Sequence, residues 1–158
     1  MKKLIIIRGP LGVGKTTVSK LLSQNLHLEY LSLDKIIDDN NLVPPNSDGI
    51  PLKSYLRANE IILSLANKSE SSLIIDGCFY YQEQIDDLIK KFDGNVEIFT
   101  LTSHVEKCIE RDSKREKVYG ENSARFMLMV TTKIQAGHEI DNTDLTLEET
   151  VKKITEKI

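Results

Sequence analysis

Short, unbroken apolar runs alternate along this chain with longer stretches in which apolar residues return every three or four positions. Leu4-Ile5-Ile6-Ile7 and Leu73-Ile74-Ile75 are runs of the first kind, the pattern of a buried strand. The whole pattern predicts strands over 3–8, 28–33, 72–76, 96–101 and 138–141. It predicts helices over 15–26, 52–67, 82–91, 104–118, 122–135 and 146–157. In the first of these helices Val18, Leu21, Leu22 and Leu26 mark one apolar face. Two helix starts, Ser103…Glu106 and Thr146…Glu149, carry the capping-box pattern. Alternation of strand and helix predicts an α/β domain with a largely parallel sheet. The stretch 40–51 holds paired prolines and an Asp-Gly dipeptide, so it reads as a loop, placed where a substrate-binding flap can sit.

Size and charge narrow the class. At 158 residues the chain suits one domain, 1–158, with two or three packed layers. The formal net charge is −3, so no global basic field draws in an extended nucleic acid. Cys78 and Cys108 lie thirty positions apart with no C-x-x-C and no His at ligand spacing. They read as reduced, partly buried thiols. The apolar stretch behind Met1-Lys2-Lys3 stops at Arg8 without a small-residue cleavage site, which argues against a signal peptide. No run approaches a membrane span. The expected location is cytoplasmic.

Directly behind the first apolar run, residues 9 to 17 read Gly-Pro-Leu-Gly-Val-Gly-Lys-Thr-Thr. This is G-x-x-x-x-G-K-[ST] with a strand entering and an amphipathic helix leaving, the context that gives the pattern its meaning. Glycines let the backbone curl so that successive N–H groups face an anion, and the helix starting near Lys15 adds the positive end of its dipole. Gly9, Leu11, Gly12, Val13, Gly14, Lys15, Thr16 and Thr17 are therefore expected to hold the phosphates of a nucleoside triphosphate. Lys15 can reach the β- and γ-phosphates, and the Thr16 hydroxyl can ligate Mg²⁺.

Ligands of a parallel α/β sheet collect at the carboxyl ends of its strands, and two further polar positions fall there. Asp34 follows Tyr30-Leu31-Ser32-Leu33 and can take the proton of an attacking hydroxyl; it can equally N-cap a short helix through Ile36 and Ile37. Asp38 would share a helical face with Asp34 and reads as a solvated carboxylate. Asp76 ends the third strand, where a carboxylate can hold Mg²⁺ directly or through water, and Gly77 permits a close approach or a tight turn. Arg111 and Arg115, four apart within 104–118, can neutralise charge on a transferred phosphoryl group, with Lys107 and Lys114 beside them and Arg125 a weaker source. Interleaved acidic residues leave a solvated, salt-bridged surface as the alternative. Arg57 can bind an anionic group on an acceptor or simply pair with Glu60. Tyr80-Tyr81 can line a pocket or pack together, and His27, His104 and His138 are scattered without metal spacing.

With these motifs in place, the chain resembles small P-loop kinases of the nucleoside-monophosphate-kinase and shikimate-kinase type over nearly its whole length. The resemblance implies a three-layer α/β/α fold around a five-stranded parallel sheet ordered 2-3-1-4-5, with helices on both faces. It implies that Gly12–Thr17 hold ATP, Asp34 contacts the acceptor hydroxyl, Arg111 and Arg115 belong to a short helical lid over 104–125, and Asp141–Thr143 lie near the adenine. An acceptor flap would occupy 35–60. The third strand ends in Asp76-Gly77-Cys78, not the three-glycine turn of shikimate kinases. The first expectation is transfer of the γ-phosphoryl group of Mg·ATP to a small-molecule hydroxyl, with Lys15, Asp34, Arg111 and Arg115 catalytic. In that reading Asp34, Arg57, Asp76 and Gly77 hold the acceptor, and Thr16 with Asp76 holds the metal. The alternatives are a nucleoside monophosphate kinase and a regulatory protein that hydrolyses a nucleotide slowly. The motifs specify neither the acceptor nor an oligomeric state.

Overall fold

β1 (Leu4–Arg8) is the middle strand of a five-stranded parallel sheet, and all five of its residues are buried. The computed structural model describes residues 2–158. Along the chain follow α1 (Lys15–Leu26), β2 (Glu29–Ser32), α2 (Leu33–Asp39) and α3 (Leu52–Lys68). Then come β3 (Leu73–Gly77), α4 (Gln82–Lys91), β4 (Val96–Thr102), α5 (Val105–Ser113), α6 (Glu121–Thr132), β5 (His138–Asp141) and α7 (Leu147–Thr155). The strands lie in the order β2-β3-β1-β4-β5, as expected. Alternate side chains of the central strands feed two cores. Leu4, Ile6, Leu73 and Ile75 pack with α2, α3 and α4, while Ile5, Ile7, Ile74 and Phe99 pack with α1 and α7. A strand buried on both faces has no reason to alternate in polarity, hence the unbroken apolar runs.

Register brings the functional ends together. Asp76 lies beside Ile7 on one side and Ser32 on the other, and Gly77 lies beside Arg8. The phosphate loop, the start of α2 and the end of β3 therefore leave the sheet along one edge.

Local readings differ from the structure in four places. Asp34 does not N-cap α2; Ser32 does, its hydroxyl accepting from the Lys35 N–H, and Asp34 sits in the first turn, where a carboxylate favours the helix dipole. The expected box at Ser103…Glu106 does not form, because Ser103 Oγ turns to Thr143 Oγ1 and α5 starts after His104 with no side-chain cap. The box at Thr146 and Glu149 forms in full. The helix expected over 104–118 stops at Ser113. Glu60 pairs with Lys91 at 2.9 Å rather than with Arg57.

One side chain has no sequence precedent. Arg8 is 0% exposed, and its guanidinium donates to Phe79 O, Thr100 Oγ1, Ile134 O and Thr131 O. It ties the end of the central strand to the carboxyl end of α6, where a cation meets the negative pole of the helix. Among the described residues no helix is long and apolar enough to cross a membrane.

Candidate active site

The phosphate loop owes its shape to backbone that only glycine tolerates well. Gly12 has φ +80°, and a Cβ there would run into the Cys108 carbonyl of α5. Gly14, at φ +97°, occupies the N-cap of α1 and brings no side chain to the first N–H groups of that helix. No acidic residue lies in the first turn. The uncapped N–H groups and positive dipole end therefore face a cavity of about 920 Å³ lined by the loop. Lys15 Nζ donates to Pro10 O at 2.8 Å, which folds its ammonium back along the loop.

The same cavity gathers most of the sequence-predicted residues. Leu11 to Thr17, Asp34, Asp76, Gly77, Arg111 and Arg115 all line it, whereas Arg57 is exposed and lies outside. Gly9 stands at the loop's base, its φ of +146° placing it against Leu101. Asp38, expected to be only solvated, also faces the cavity.

Asp76 is 3% exposed and accepts a hydrogen bond from the Tyr30 hydroxyl at 3.1 Å. Burial, then the adjacent carboxylate, pushes the Tyr30 phenol up to about 12, so it stays a donor at neutral pH. Asp34 keeps an open surface toward the cavity, but surrounding protein thins the water around it. Burial raises its pKa most, Lys15 and Arg115 pull it back, and Asp76 and Asp38 push it further up.

The two arginines are separated by what they touch. Arg111 donates to Val13 O, Asn142 Oδ1 and Asn142 O, and Asn142 Nδ2 also donates to Val13 O at 2.8 Å. Arg111 and the buried Asn142 thus lock the phosphate loop to α5 and to the β5–α7 turn. Arg115 lies beyond the end of α5, 4.0 Å from Asp112 and 5.4 Å above the Tyr119 ring. Arg125 pairs with Glu121 on the surface, and Lys107 and Lys114 both pair with Glu110.

The reading of the sequence missed Asn142 as a partner of the phosphate loop, and Tyr30 as a partner of Asp76. It also missed Lys117, Tyr119, Phe126 and Met127, which line the cavity from the segment after α5. The position of Asn142 at a strand's carboxyl end was the available signal. A hard divalent ion such as Mg²⁺ takes one or two protein oxygens and completes its shell with water and phosphate. The Thr16 hydroxyl and the Asp76 carboxylate both line the cavity and are oxygen donors of the kind such an ion takes. Among the described residues no cluster of three or more His, Cys, Asp or Glu forms a protein-only cage.

A parallel sheet ordered 2-3-1-4-5, with a phosphate-cradling loop after its central strand, defines the P-loop kinase class. A family model described as "AAA domain" matches residues 5–128, and the chain belongs to that family. An adenylate kinase from Chloroherpeton thalassium is 23% identical over 168 residues, covering 96% of this chain and 76% of that protein. A shikimate kinase from Marinomonas sp. is 53% identical over 36 residues, covering 23% of this chain and only 20% of that relative. Among solved structures, a sugar kinase from Janibacter sp. HTCC2649 superposes with a TM-score of 0.75 at 19% identity, covering 99% of this chain and 94% of that one. A shikimate kinase from Bacteroides thetaiotaomicron gives 0.68 at 16% identity, covering 98% and 97%. These likenesses show the fold.

Proposed function

We propose that this protein is a cytoplasmic kinase that moves the γ-phosphoryl group of Mg·ATP to a hydroxyl of a small molecule. The observation that carries the reading is the placement of Asp34, a carboxylate with a raised pKa, in the same cavity as Lys15, Thr16 and the uncapped start of α1. A base there activates whichever hydroxyl reaches it, and the Ile50, Tyr55 and Tyr80 side chains that line the same cavity favour an acceptor larger than water.

In the proposed reaction the N–H groups of Gly12 to Thr17 and the Lys15 ammonium hold the phosphates. Thr16 and Asp76 would hold Mg²⁺, which when bound spreads the charge of the phosphate oxygens. Asp34 accepts the acceptor's hydroxyl proton as the oxygen bonds to the γ-phosphorus. The bond from that phosphorus to the bridging oxygen breaks, and ADP leaves with the electron pair. Arg115, held by Asp112 at 4.0 Å and the Tyr119 ring and by no closer carboxylate among the described residues, swings toward the transferred group, while Arg111 keeps the loop in register. The segment 114–123 adds Arg115, Lys117 and Tyr119 to the cavity lining, and its closure over bound substrates would exclude water and suppress futile hydrolysis.

The test follows ADP release from Mg·ATP with a panel of alcohols and nucleotides. Lys15→Ala should abolish turnover, and an unaffected rate would remove the phosphate loop from the reaction. Asp34→Asn should keep nucleotide binding while kcat for transfer falls about 10²- to 10⁴-fold, the range of general-base catalysis. Full turnover in that variant would take Asp34 out of the base role.

A further inference from the structure

Resting on the transfer reading above, we propose that the acceptor carries no phosphate or carboxylate: it is a neutral or cationic alcohol with a ring-shaped, apolar body. The cavity wall built by α2, α3 and the end of β3 presents Asp34, Asp38 and Asp76 beside Ile50, Tyr55 and Tyr80. It presents no lysine or arginine. Arg57, the guanidinium expected to serve an anionic acceptor, is exposed and does not line the cavity. The other arginine near this wall, Arg8, lies behind it, fully buried and committed to Phe79, Thr100, Ile134 and Thr131. The cavity's cations sit on the phosphate loop, on α5 and on the segment after it: Lys15, Arg111, Arg115 and Lys117. A triphosphate occupying the loop draws on them first. With Asp76 taken up by the metal, an anionic acceptor body would still rest against Asp34 and Asp38 without a bidentate partner, an arrangement that selects against it.

The apolar part of the wall is equally specific. Tyr55 and Tyr80 meet edge to face at 5.5 Å with their hydroxyls hydrogen-bonded, and Tyr80 and Tyr81 lie 4.9 Å apart. Tyr81 in turn donates to Ile50 O, fixing the loop that contributes Ile50. Phe126 and Tyr119 line the same cavity yet remain 57% and 46% exposed. Rings left open on one side of a cavity and packed rigidly on the other suit a flat body held between them.

Matched pairs that differ by one anionic group test the proposal in the ADP-release assay on the full chain. The pairs are a nucleoside and its 5′-monophosphate, methyl shikimate and shikimate, and an aromatic amino alcohol and its hydroxy-acid counterpart. The non-anionic member should be favoured about tenfold or more in kcat/KM. Within that class, preference for the ammonium compound would mean that the carboxylates bind as well as exclude. Faster phosphorylation of the anionic members would overturn the acceptor class and leave transfer standing. No stimulation by any member would overturn the transfer reading and, with it, the identity of an acceptor.

A second readout needs no turnover. Cys78 lines this wall and is only half-buried, whereas Cys108 is fully buried. Labelling of Cys78 by a cationic and an anionic methanethiosulfonate is followed by intact mass, with Cys78→Ser as the blank. Asp38→Asn should lower the cationic-to-anionic rate ratio about threefold or more, because one negative wall charge is gone while Arg8 is unchanged. A ratio that does not move would overturn the charge selectivity assigned to this wall.

Discussion

Asp34 is held above the ordinary carboxylate range by burial, and the groups facing it divide by sign. Lys15 and Arg115 favour its ionised form, Asp76 and Asp38 oppose it, and the Tyr55 and Tyr80 phenols, themselves raised chiefly by burial, stay neutral. A base works only when deprotonated, so kcat/KM should fall as pH drops through this raised pKa, above where an ordinary aspartate would set the limb. Arg115→Gln should move the limb to higher pH and Asp38→Asn to lower pH; a pH–rate profile unmoved in both would rule Asp34 out as the titrating group. The stability sign is opposite. A carboxyl whose folded pKa is raised favours the fold below its unfolded pKa and loses that contribution as pH rises through the folded value. At neutral pH Asp34→Asn should therefore melt at the same or a higher temperature while losing transfer, and a clearly lower melting temperature would contradict the picture. Arg8 makes the opposite case. Arg8→Met strands four acceptors and should lower stability by about 3 kcal/mol in denaturant unfolding, and a loss within 0.5 kcal/mol, the usual scatter of surface changes, would mean those bonds matter little. Asp34 was legible from its place after a strand. Arg8 was not, since the same residue reads as the polar end of an apolar run, and its partners come from β4, the chain after β3 and the carboxyl end of α6, which only the tertiary fold brings to it.

The covering segment shows what local pattern settles and what it leaves open. Residues 104–118 are mostly Glu, Lys, Arg and other tolerant helix formers with no proline or glycine, so the pattern reads as one helix. α5 ends at Ser113 because the buried Asp112 carboxylate accepts from the N–H groups of Tyr119 and Gly120, pulling the chain into a loop. Asp112→Ala should release that loop, reduce kcat for transfer and raise ATP hydrolysis in the absence of acceptor. Coupled assays with and without acceptor measure the split, and an unchanged ratio would show that the loop does not gate water. The two capping-box patterns make the same point. Thr146 and Glu149 close on each other, while Ser103 is diverted by Thr143 of a neighbouring turn. A three-residue spacing contains nothing about a competitor forty positions away.

Over the whole molecule, the register of β1 against β3 and the turn before α7 bring one cavity together from residues spread between Leu11 and Thr150. Because the folded chain alone has this cavity, a non-hydrolysable ATP analogue with Mg²⁺ should stabilise it. The gain is about 2.7 kcal/mol at a hundredfold excess over Kd, read as a rise in Tm, and it should vanish in Lys15→Ala. An equal rise in that variant would place the nucleotide elsewhere. The α/β class, the sheet's apolar runs, the phosphate loop and the strand-end carboxylates were determined by the sequence alone, because each depends on periodicity or on residues adjacent in the chain. The tertiary structure alone decided that Arg57 lies outside the cavity, that Arg111 is tied to Asn142 while Arg115 meets Asp112 and the Tyr119 ring, that Asp38 faces the cavity, and that aromatic rings line it. Each of those depends on which distant side chains the packing of helices on the sheet brings within reach of a hydrogen bond or a charge.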